Sequence, residues 1–168
     1  IAADRKDLSE QIISMLGGIL QDVSLKDPYI YPAVAGGLVS IASLQPDLSG
    51  QIFSIFESAM QAENQDWHVH YSIAVAFENI AQMRPELIPE EIVRLFENTL
   101  QKKDLEGNIF SVITGFLASV AQSRPELIQP DFVSMLEDII VKEGPTYKFY
   151  PTAKILASVA RSRPELIR

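Results

Sequence analysis

The sequence contains no cysteine, which removes disulfides, thiolate zinc sites and cysteine nucleophiles. It has only two histidines, His68 and His70, and residues two apart on a helix point in different directions. They do not form a metal site. A glycine-rich phosphate loop, a signal peptide and an apolar run long enough to span a membrane are also missing. We therefore expect no catalytic site, no metal and no cofactor, and hence no enzyme.

Basic residues are scarce as well, with 14 Lys and Arg against 22 Asp and Glu, a formal net charge of −8. A phosphate backbone or an anionic membrane surface would repel this charge. We therefore expect neither nucleic-acid binding nor membrane binding. The lack of cysteine fits a reducing compartment, so we expect a cytoplasmic protein. The hydrophobic share of 47% is typical of a folded chain with a core.

A four-residue marker recurs every 39 or 40 residues and is the strongest pattern in the sequence. We call it the Pro-Glu-Leu marker, and its four occurrences are Gln45-Pro46-Asp47-Leu48, Arg84-Pro85-Glu86-Leu87, Arg124-Pro125-Glu126-Leu127 and Arg163-Pro164-Glu165-Leu166. The residues before it repeat too, since 117–121 and 156–160 both spell Leu-Ala-Ser-Val-Ala. Such an interval is typical of tandem structural repeats. We place repeats 1 to 4 at approximately residues 8–48, 49–87, 88–127 and 128–166.

Each repeat contains two helical patterns, A and B, because its apolar residues recur at spacings that line one face of a helix. In repeat 3 the helix A positions are Ile92, Val93, Leu95, Phe96 and Leu100, and the helix B positions are Ile113, Leu117, Val120 and Ala121. In repeat 1 the position of Leu95 is Met15, which we also expect in the core. The acidic residues expected on a solvated outer face are Glu57, Glu90, Glu91, Glu97, Asp131, Glu137 and Asp138. The glycine pairs 17–18 and 36–37 are predicted to permit close helix packing.

A tandem two-helix unit of about 40 residues resembles the HEAT and armadillo-like repeat superfamily. The segment Leu25-Lys26-Asp27-Pro28 is similar to the turn between the two HEAT helices, and the resemblance covers residues 8–166. The Val-Arg pair usual after that turn is absent, with Val69-His70 or Ile109-Phe110 in its place, so the repeats are divergent. The resemblance implies an all-α fold, a right-handed α–α superhelix (solenoid) of four two-helix repeats with about eight helices. It places the B helices on the concave side and implies protein–protein binding.

Residues that vary between repeats along one face of helix B form the candidate binding stripe, because variation indicates release from packing. Tyrosine and tryptophan are favoured binding anchors, since they bury a large area at a small entropic cost. The candidate partner-binding residues are Tyr29, Trp67, His68, Tyr71, Glu78, Asn108, Tyr147, Tyr150, Lys154 and Arg161. Gly115 and Ser158 fall on the same stripe. The alternative is that the rings only cap the helices against the next repeat.

These patterns favour a non-catalytic protein-binding scaffold that holds another protein, or another domain of the parent chain, on the concave helix B surface. One alternative is a lyase-type, cofactor-attaching or chaperone-like HEAT-repeat protein, and another is a purely architectural spacer. DNA glycosylases with this type of fold need a basic groove, which the charge of −8 disfavours.

The chain begins at Ile1 rather than Met and stops just after a repeat boundary, so we interpret it as a segment of a longer protein. We expect it to be a monomer, with end-to-end association as the alternative.

Overall fold

The computed structural model describes residues 2–22, 24, 27, 29–62, 66–101, 105–143 and 146–167. Within these residues the chain forms eight α-helices and no strand, so the predicted all-α class is confirmed. The helices are α1 (Ala2–Gln21), α2 (Ile30–Leu44), α3 (Ser49–Gln61), α4 (Trp67–Met83), α5 (Glu90–Leu100), α6 (Gly107–Ser123), α7 (Pro130–Glu143) and α8 (Phe149–Ser162). The right-handed superhelical arrangement stays a prediction. The predicted HEAT-like turn at 25–28 lies, apart from Asp27, outside the described residues.

Two α-helices followed by a short 3₁₀ helix form an order that recurs four times along the chain. The 3₁₀ helices are Pro46–Leu48, Pro85–Leu87, Pro125–Leu127 and Pro164–Leu166, so each coincides with a Pro-Glu-Leu marker. The residue before the marker proline leaves the helical conformation, as at Arg124 with φ −138° and ψ 57°. Proline has no N–H and restricts the preceding residue, which explains why every B helix ends there.

Two of the marker arginines, Arg124 and Arg163, also bind to the preceding marker region. In its own marker, the Arg124 side chain pairs with Glu126, and Arg163 pairs with Glu165 in the same way. Arg124 Nη1 then donates to the carbonyl of Pro85 at 3.3 Å. Arg163 Nη1 donates to the carbonyl of Ile128 at 3.4 Å. The marker of repeat 3 therefore does more than end a helix, because the Arg124 guanidinium group joins repeat 3 to repeat 2. The Arg163 contact lies within repeat 4 and joins the end of that repeat to its start.

The chain divides into two compact units, residues 1–76 and 77–168, with the division inside α4. In the first unit, α1 packs against α2 and α3, and α2 also packs against α3. The core of this unit includes Leu20, Leu38, Ile52 and Phe56, which are fully buried. Three of these four residues belong to the predicted helix A stripe, and Leu38 belongs to the helix B stripe.

In the second unit, α5 packs against α6, and α8 packs against both α6 and α7. Three phenylalanine rings, Phe77, Phe96 and Phe116, meet with centroid separations of 4.8 to 5.8 Å and are fully buried. The predicted helix B column of repeat 3 is confirmed, with Ile113, Leu117, Val120 and Ala121 each no more than 1% exposed. The fold of this unit therefore follows the periodicity of the sequence.

Several local predictions were wrong. Met15 is 62% exposed, because its position lies at the rim of the apolar stripe, where the counterpart Leu95 is only half-buried. Close packing holds at Gly17, where an added Cβ would lie 2.9 Å from Ile55 Cδ1, but Gly18 and Gly36 face open space. Two positions of the candidate stripe, Gly115 and Ser158, are buried.

Glu97 is the clearest correction, because it is 4% exposed instead of lying on the outer face. Its Oε1 accepts a hydrogen bond from the backbone N–H of Gln129, just before α7, at 3.2 Å. A carboxylate at a helix N-terminus is favourable. Burial nevertheless raises the pKa of Glu97 to about 7, against the opposing effects of the Gln129 N–H and of Arg94. Glu97 thus links α5 to the start of the following A helix.

Candidate functional site

Short polar side chains fix the start of three of the four B helices. Asp27 Oδ1 accepts from the backbone N–H of Tyr29 at 3.0 Å, and Asp66 Oδ1 accepts from that of His68 at 2.8 Å. Thr146 Oγ1 accepts from the N–H of Lys148 at 3.4 Å. The His68 N–H belongs to the first turn of α4, so Asp66 satisfies a backbone donor that this turn leaves free, whereas Tyr29 and Lys148 lie just before α2 and α8. The aromatic residues at the start of these helices are therefore carried on an ordered turn.

In the first unit, three candidate residues come together on the first turn of α4. The rings of Trp67 and His68 stack with centroids 3.6 Å apart, and Tyr71 meets Trp67 edge-on at 6.3 Å. Trp67 and His68 are half-buried, and Tyr71 is 38% exposed. We call these three residues the α4 ring cluster. It presents flat apolar surface to solvent while its members restrain one another.

Asp66 anchors the α4 ring cluster through His68. The His68 Nδ1–H donates to Asp66 Oδ1 at 2.7 Å, in addition to the bond from its backbone N–H. The backbone N–H of His68, followed by its side chain, lowers the pKa of the Asp66 carboxyl. Because Nδ1 donates to the carboxylate, Nε2 is the ring nitrogen left to contact other groups. The imidazole orientation is thereby fixed.

The other rings of the first unit divide into exposed and buried positions. Tyr29 is 86% exposed immediately before α2, and among the described residues its ring does not join the α4 ring cluster. His70, predicted to fill a semi-buried aromatic position, is half-buried and donates from Nε2 to the carbonyl of Met60 at 3.1 Å. His70 therefore stabilises the packing of α4 on α3 and is not part of the candidate surface.

In the second unit, Tyr147 is partly used in packing. Its hydroxyl donates to the carbonyl of Leu105 at 3.3 Å, and its ring meets Phe110 edge-on at 6.1 Å. A Cβ at Gly107 would lie 3.3 Å from the Tyr147 ring. Lys148 Nζ lies 5.8 Å from the centroids of both rings, a cation–π distance. These contacts fit the alternative in which this ring caps the preceding repeat, although 57% of Tyr147 remains exposed.

Tyr150, Lys154 and Arg161 lie on one face of α8, since their spacings of four and seven residues follow the helical period. All three are exposed, and Tyr150 is 80% exposed. The helix Phe149–Ser162 contains no acidic residue, in a chain with a net charge of −8. We call these three residues the α8 face. It is a local cationic and aromatic surface.

The remaining candidates of the second unit contribute less. Asn108 is exposed at the second position of α6. Glu78 is half-buried, and its Oε1 would lie 2.9 Å from a Cβ added at Gly115. Glu78 therefore covers Gly115, which explains why this stripe position is buried in repeat 3. Its carboxylate is positioned by packing against α6.

Other types of site find no support in the structure. Across the part of the chain that the structure describes, no three His, Asp or Glu residues are grouped so as to hold a metal ion. None of the helices described is long and apolar enough to cross a membrane. No family model, curated protein or solved structure matches the chain.

Two contributors were missed at the level of the sequence, Asp66 and Lys148. For Asp66 a signal exists, because it is an Asp that stands immediately before the first residue of α4. Asp at such a position is a known helix-capping pattern. For Lys148 there is no comparable signal, since its position over Phe110 depends on how α6 and α8 pack.

Proposed function

We propose that the chain is a non-catalytic scaffold of HEAT-like repeats that binds protein segments through exposed side chains of its B helices. The observation that carries the proposal is the α4 ring cluster, in which Trp67, His68 and Tyr71 are held together by short contacts yet remain accessible. Rings that are already ordered lose little entropy when a partner covers them. Aromatic residues are also enriched among residues that dominate binding energy.

The α8 face suggests the chemistry of one partner. Tyr150, Lys154 and Arg161 present an exposed ring followed along the helix by two cationic groups, without a neighbouring acid on the helix. A peptide with acidic residues beside an apolar residue would complement this surface. Such a peptide could belong to another protein or to another domain of the parent chain, and the chemistry required is the same.

An architectural spacer is the second candidate, and Tyr147 favours it. Its contacts with Leu105, Gly107 and Phe110 show one candidate ring used to join repeats. If the other rings served only this purpose, replacing them would lower stability without affecting any binding. Replacing an exposed ring should therefore lower only the stability of a spacer, whereas in a scaffold it should weaken the binding of a partner.

A displayed library of random peptides, selected on the intact chain, tests the proposal. We expect the selected peptides to be rich in Asp and Glu next to aromatic residues. Their affinity should fall at least about tenfold for a Tyr150→Ala, Lys154→Ala double variant. Peptides that bind the α4 ring cluster should change the fluorescence of Trp67, the only tryptophan, and should lose affinity in Tyr71→Ala.

Asn98→Ala provides the matched control, because Asn98 is exposed on helix α5, away from both surfaces in sequence. It should leave all affinities unchanged. A selection that yields no binder, or binders whose affinity is the same for wild type and for the α4 and α8 variants, would contradict the scaffold and favour the spacer.

A further inference from the structure

Two rings of the α4 ring cluster meet at nearly a right angle and form a corner rather than a flat stack. The planes of Trp67 and Tyr71 are inclined by 79°, and their centroids are 6.3 Å apart. A cation is attracted to an aromatic ring when it lies within about 6 Å of the ring centroid. One cation can therefore lie within that distance of both rings at once. His68 stacks on one face of the indole, so a ligand would meet the other face.

A negative charge lies beside this corner. Asp66 Oδ1 is 2.7 Å from Nδ1 of His68, whose ring stacks on Trp67. The hydrogen bond from the His68 backbone N–H lowers the pKa of Asp66, so its carboxylate is ionised at neutral pH. Aromatic faces and a carboxylate both attract positive charge. The α4 ring cluster should therefore prefer a cation to an anion or to a neutral apolar group.

Tyr31, a buried residue of the same unit, shows that Asp66 does not act alone. Burial raises the pKa of the Tyr31 hydroxyl, and the negative charges of Asp66, Asp22 and Asp27 raise it further. Three carboxylates are therefore within electrostatic reach of one hydroxyl in the first unit. Their combined field should add to the attraction of a cation towards the α4 ring cluster.

The hydrogen bonds of Asp66 indicate which kind of cation suits the corner. Asp66 Oδ1 already accepts from the backbone N–H and from the Nδ1–H of His68. A primary ammonium group carries N–H donors that need new acceptors once the rings displace its water. A trimethylammonium group has no N–H donor, and its methyl groups can pack directly on aromatic faces. The corner therefore suits a fully methylated ammonium group.

The openness of the corner indicates that the cation is part of a longer chain. Trp67 and His68 are half-buried, and Tyr71 is 38% exposed. Sites for free small molecules cover most of the ligand surface, which two rings at the start of one helix do not achieve. A side chain on a protein segment can gain further binding energy from contacts made by the rest of that segment.

We propose that the α4 ring cluster binds the trimethylammonium group of a trimethyllysine side chain in a partner protein segment. The proposal rests on the proposed function, because it names the ligand chemistry of one of the two candidate surfaces. The α4 ring cluster and the α8 face then select opposite charges, the first a cation and the second an acidic peptide.

An NMR titration of the intact chain tests the proposal, because Trp67 supplies its only indole N–H signal. The probe is a capped Ala-Lys-Ala peptide at constant ionic strength, with its lysine trimethylated, unmodified, or replaced by a neutral analogue in which a tert-butyl group stands for the trimethylammonium group. We expect a dissociation constant on the order of millimolar for the trimethylated peptide and at least about threefold weaker binding of the other two. Equal affinity of the trimethylated and neutral peptides, or no shift with any of them, overturns the proposal. Tighter binding of free choline than of the trimethylated peptide also overturns it, because the ligand would then be a free amine.

Substitutions in the cluster provide a second test. Tyr71→Ala removes one wall of the corner and should weaken binding of the trimethylated peptide about fivefold, whereas Tyr71→Phe keeps the ring and the affinity. Asp66→Asn should weaken it about twofold, since an amide oxygen can still accept from His68 but carries no charge. Ser14→Ala, at an exposed position of α1, is the control and should change nothing. Circular dichroism checks that each variant is folded, and wild-type affinity in folded Tyr71→Ala overturns the proposal.

The peptide selection described above decides the proposed function separately. Selected peptides that depend on Tyr71, found together with equal binding of the trimethylated and neutral probes, would support the scaffold and overturn only the preference for a methylated cation. A clear preference for the trimethylated probe without any selected binder would support the cation site and contradict the scaffold.

Discussion

Helices α6 and α8 contain the same five residues, Leu-Ala-Ser-Val-Ala, at 117–121 and 156–160, yet the two segments have different surroundings. Leu117 and Ala121 are fully buried, whereas Leu156 is half-buried and Ala160 is exposed. The central valine is buried in both, with Val120 and Val159 each 1% exposed. Both segments are helical. Identical local sequence therefore specifies the same helix but not the same environment.

The difference shows how burial arises in a chain of this kind. Val159 is buried in α8, which packs against α6 and α7, whereas Leu156 is half-buried and Ala160 is exposed, and the described chain contains no α-helix after α8. Nearest-neighbour contacts thus decide which half of the apolar stripe is buried. The same apolar residue should contribute more to stability in α6 than in α8.

Leu117→Ala and Leu156→Ala sharpen this comparison most strongly. Leu117→Ala removes a fully buried side chain and should lower the free energy of unfolding by about 2–5 kcal/mol. Leu156→Ala should cost only about 1 kcal/mol, because its side chain already contacts solvent. Urea denaturation in dilute solution, followed by circular dichroism, measures both values. Equal losses for the two variants would contradict the assignment of covered and uncovered positions.

Glu97 extends the comparison to a charged residue at a covered position. Its pKa is raised from 4.5 to about 7 in the folded chain, so the folded chain binds more protons than the unfolded one between these values. Stability should therefore fall as pH rises from about 4.5 to about 7, by at most about 3 kcal/mol. The charged groups that act on it are Arg94, which opposes the shift, and Glu90, which adds to it.

Glu97→Gln should remove this dependence on pH and raise stability at pH 8, because an amide needs no ionisation and can still accept from Gln129. Denaturation curves between pH 4.5 and 8 provide the measurement, with Asn98→Ala as a neighbour that keeps the wild-type slope. A Glu97→Gln variant with an unchanged slope would show that another group titrates in this range.

The smallest expected changes in stability come from substitutions at Gly17 and Gly18. These residues are adjacent in α1, but Gly17 is covered and Gly18 faces open space. An added Cβ at Gly17 would meet Ile55 at 2.9 to 3.2 Å, so Gly17→Ala should destabilise by about 1 kcal/mol. Gly18 has no atom within 4 Å of such a Cβ, so Gly18→Ala should stabilise by about 0.5–1 kcal/mol through helix propensity. Thermal melts of the two variants should therefore shift in opposite directions.

Much of the fold could be predicted because its signals are local and occur four times. The marker prolines predicted where each B helix ends, and the apolar spacing predicted columns such as Ile113 to Ala121. Burial that depends on contacts between helices was harder to predict. Glu97 occupies the same position in its repeat as Glu57 and Glu137, but those two residues are only half-buried. The contact of Glu97 with the Gln129 N–H, which the sequence does not reveal, explains the greater burial of Glu97.

The candidate surfaces were predicted less completely than the fold. Variation between repeats identified Tyr71, Tyr150, Lys154 and Arg161, which are all exposed. Variation alone could not separate Tyr150 from Tyr147, whose ring packs against Gly107 and Phe110. Both are tyrosines at the start of one helix, and only the arrangement of α6 and α8 distinguishes them. Whether these surfaces bind a partner stays a prediction.

Thiol labelling tests the central claim most directly, because the chain has no cysteine of its own. Ala121→Cys and Ala160→Cys place a thiol at the same position of the same five-residue segment in α6 and α8. We predict that Cys at 160 reacts as fast as a free thiol, while Cys at 121 reacts only when the structure opens, at least about 100-fold more slowly. Equal labelling rates at the two positions would contradict the account.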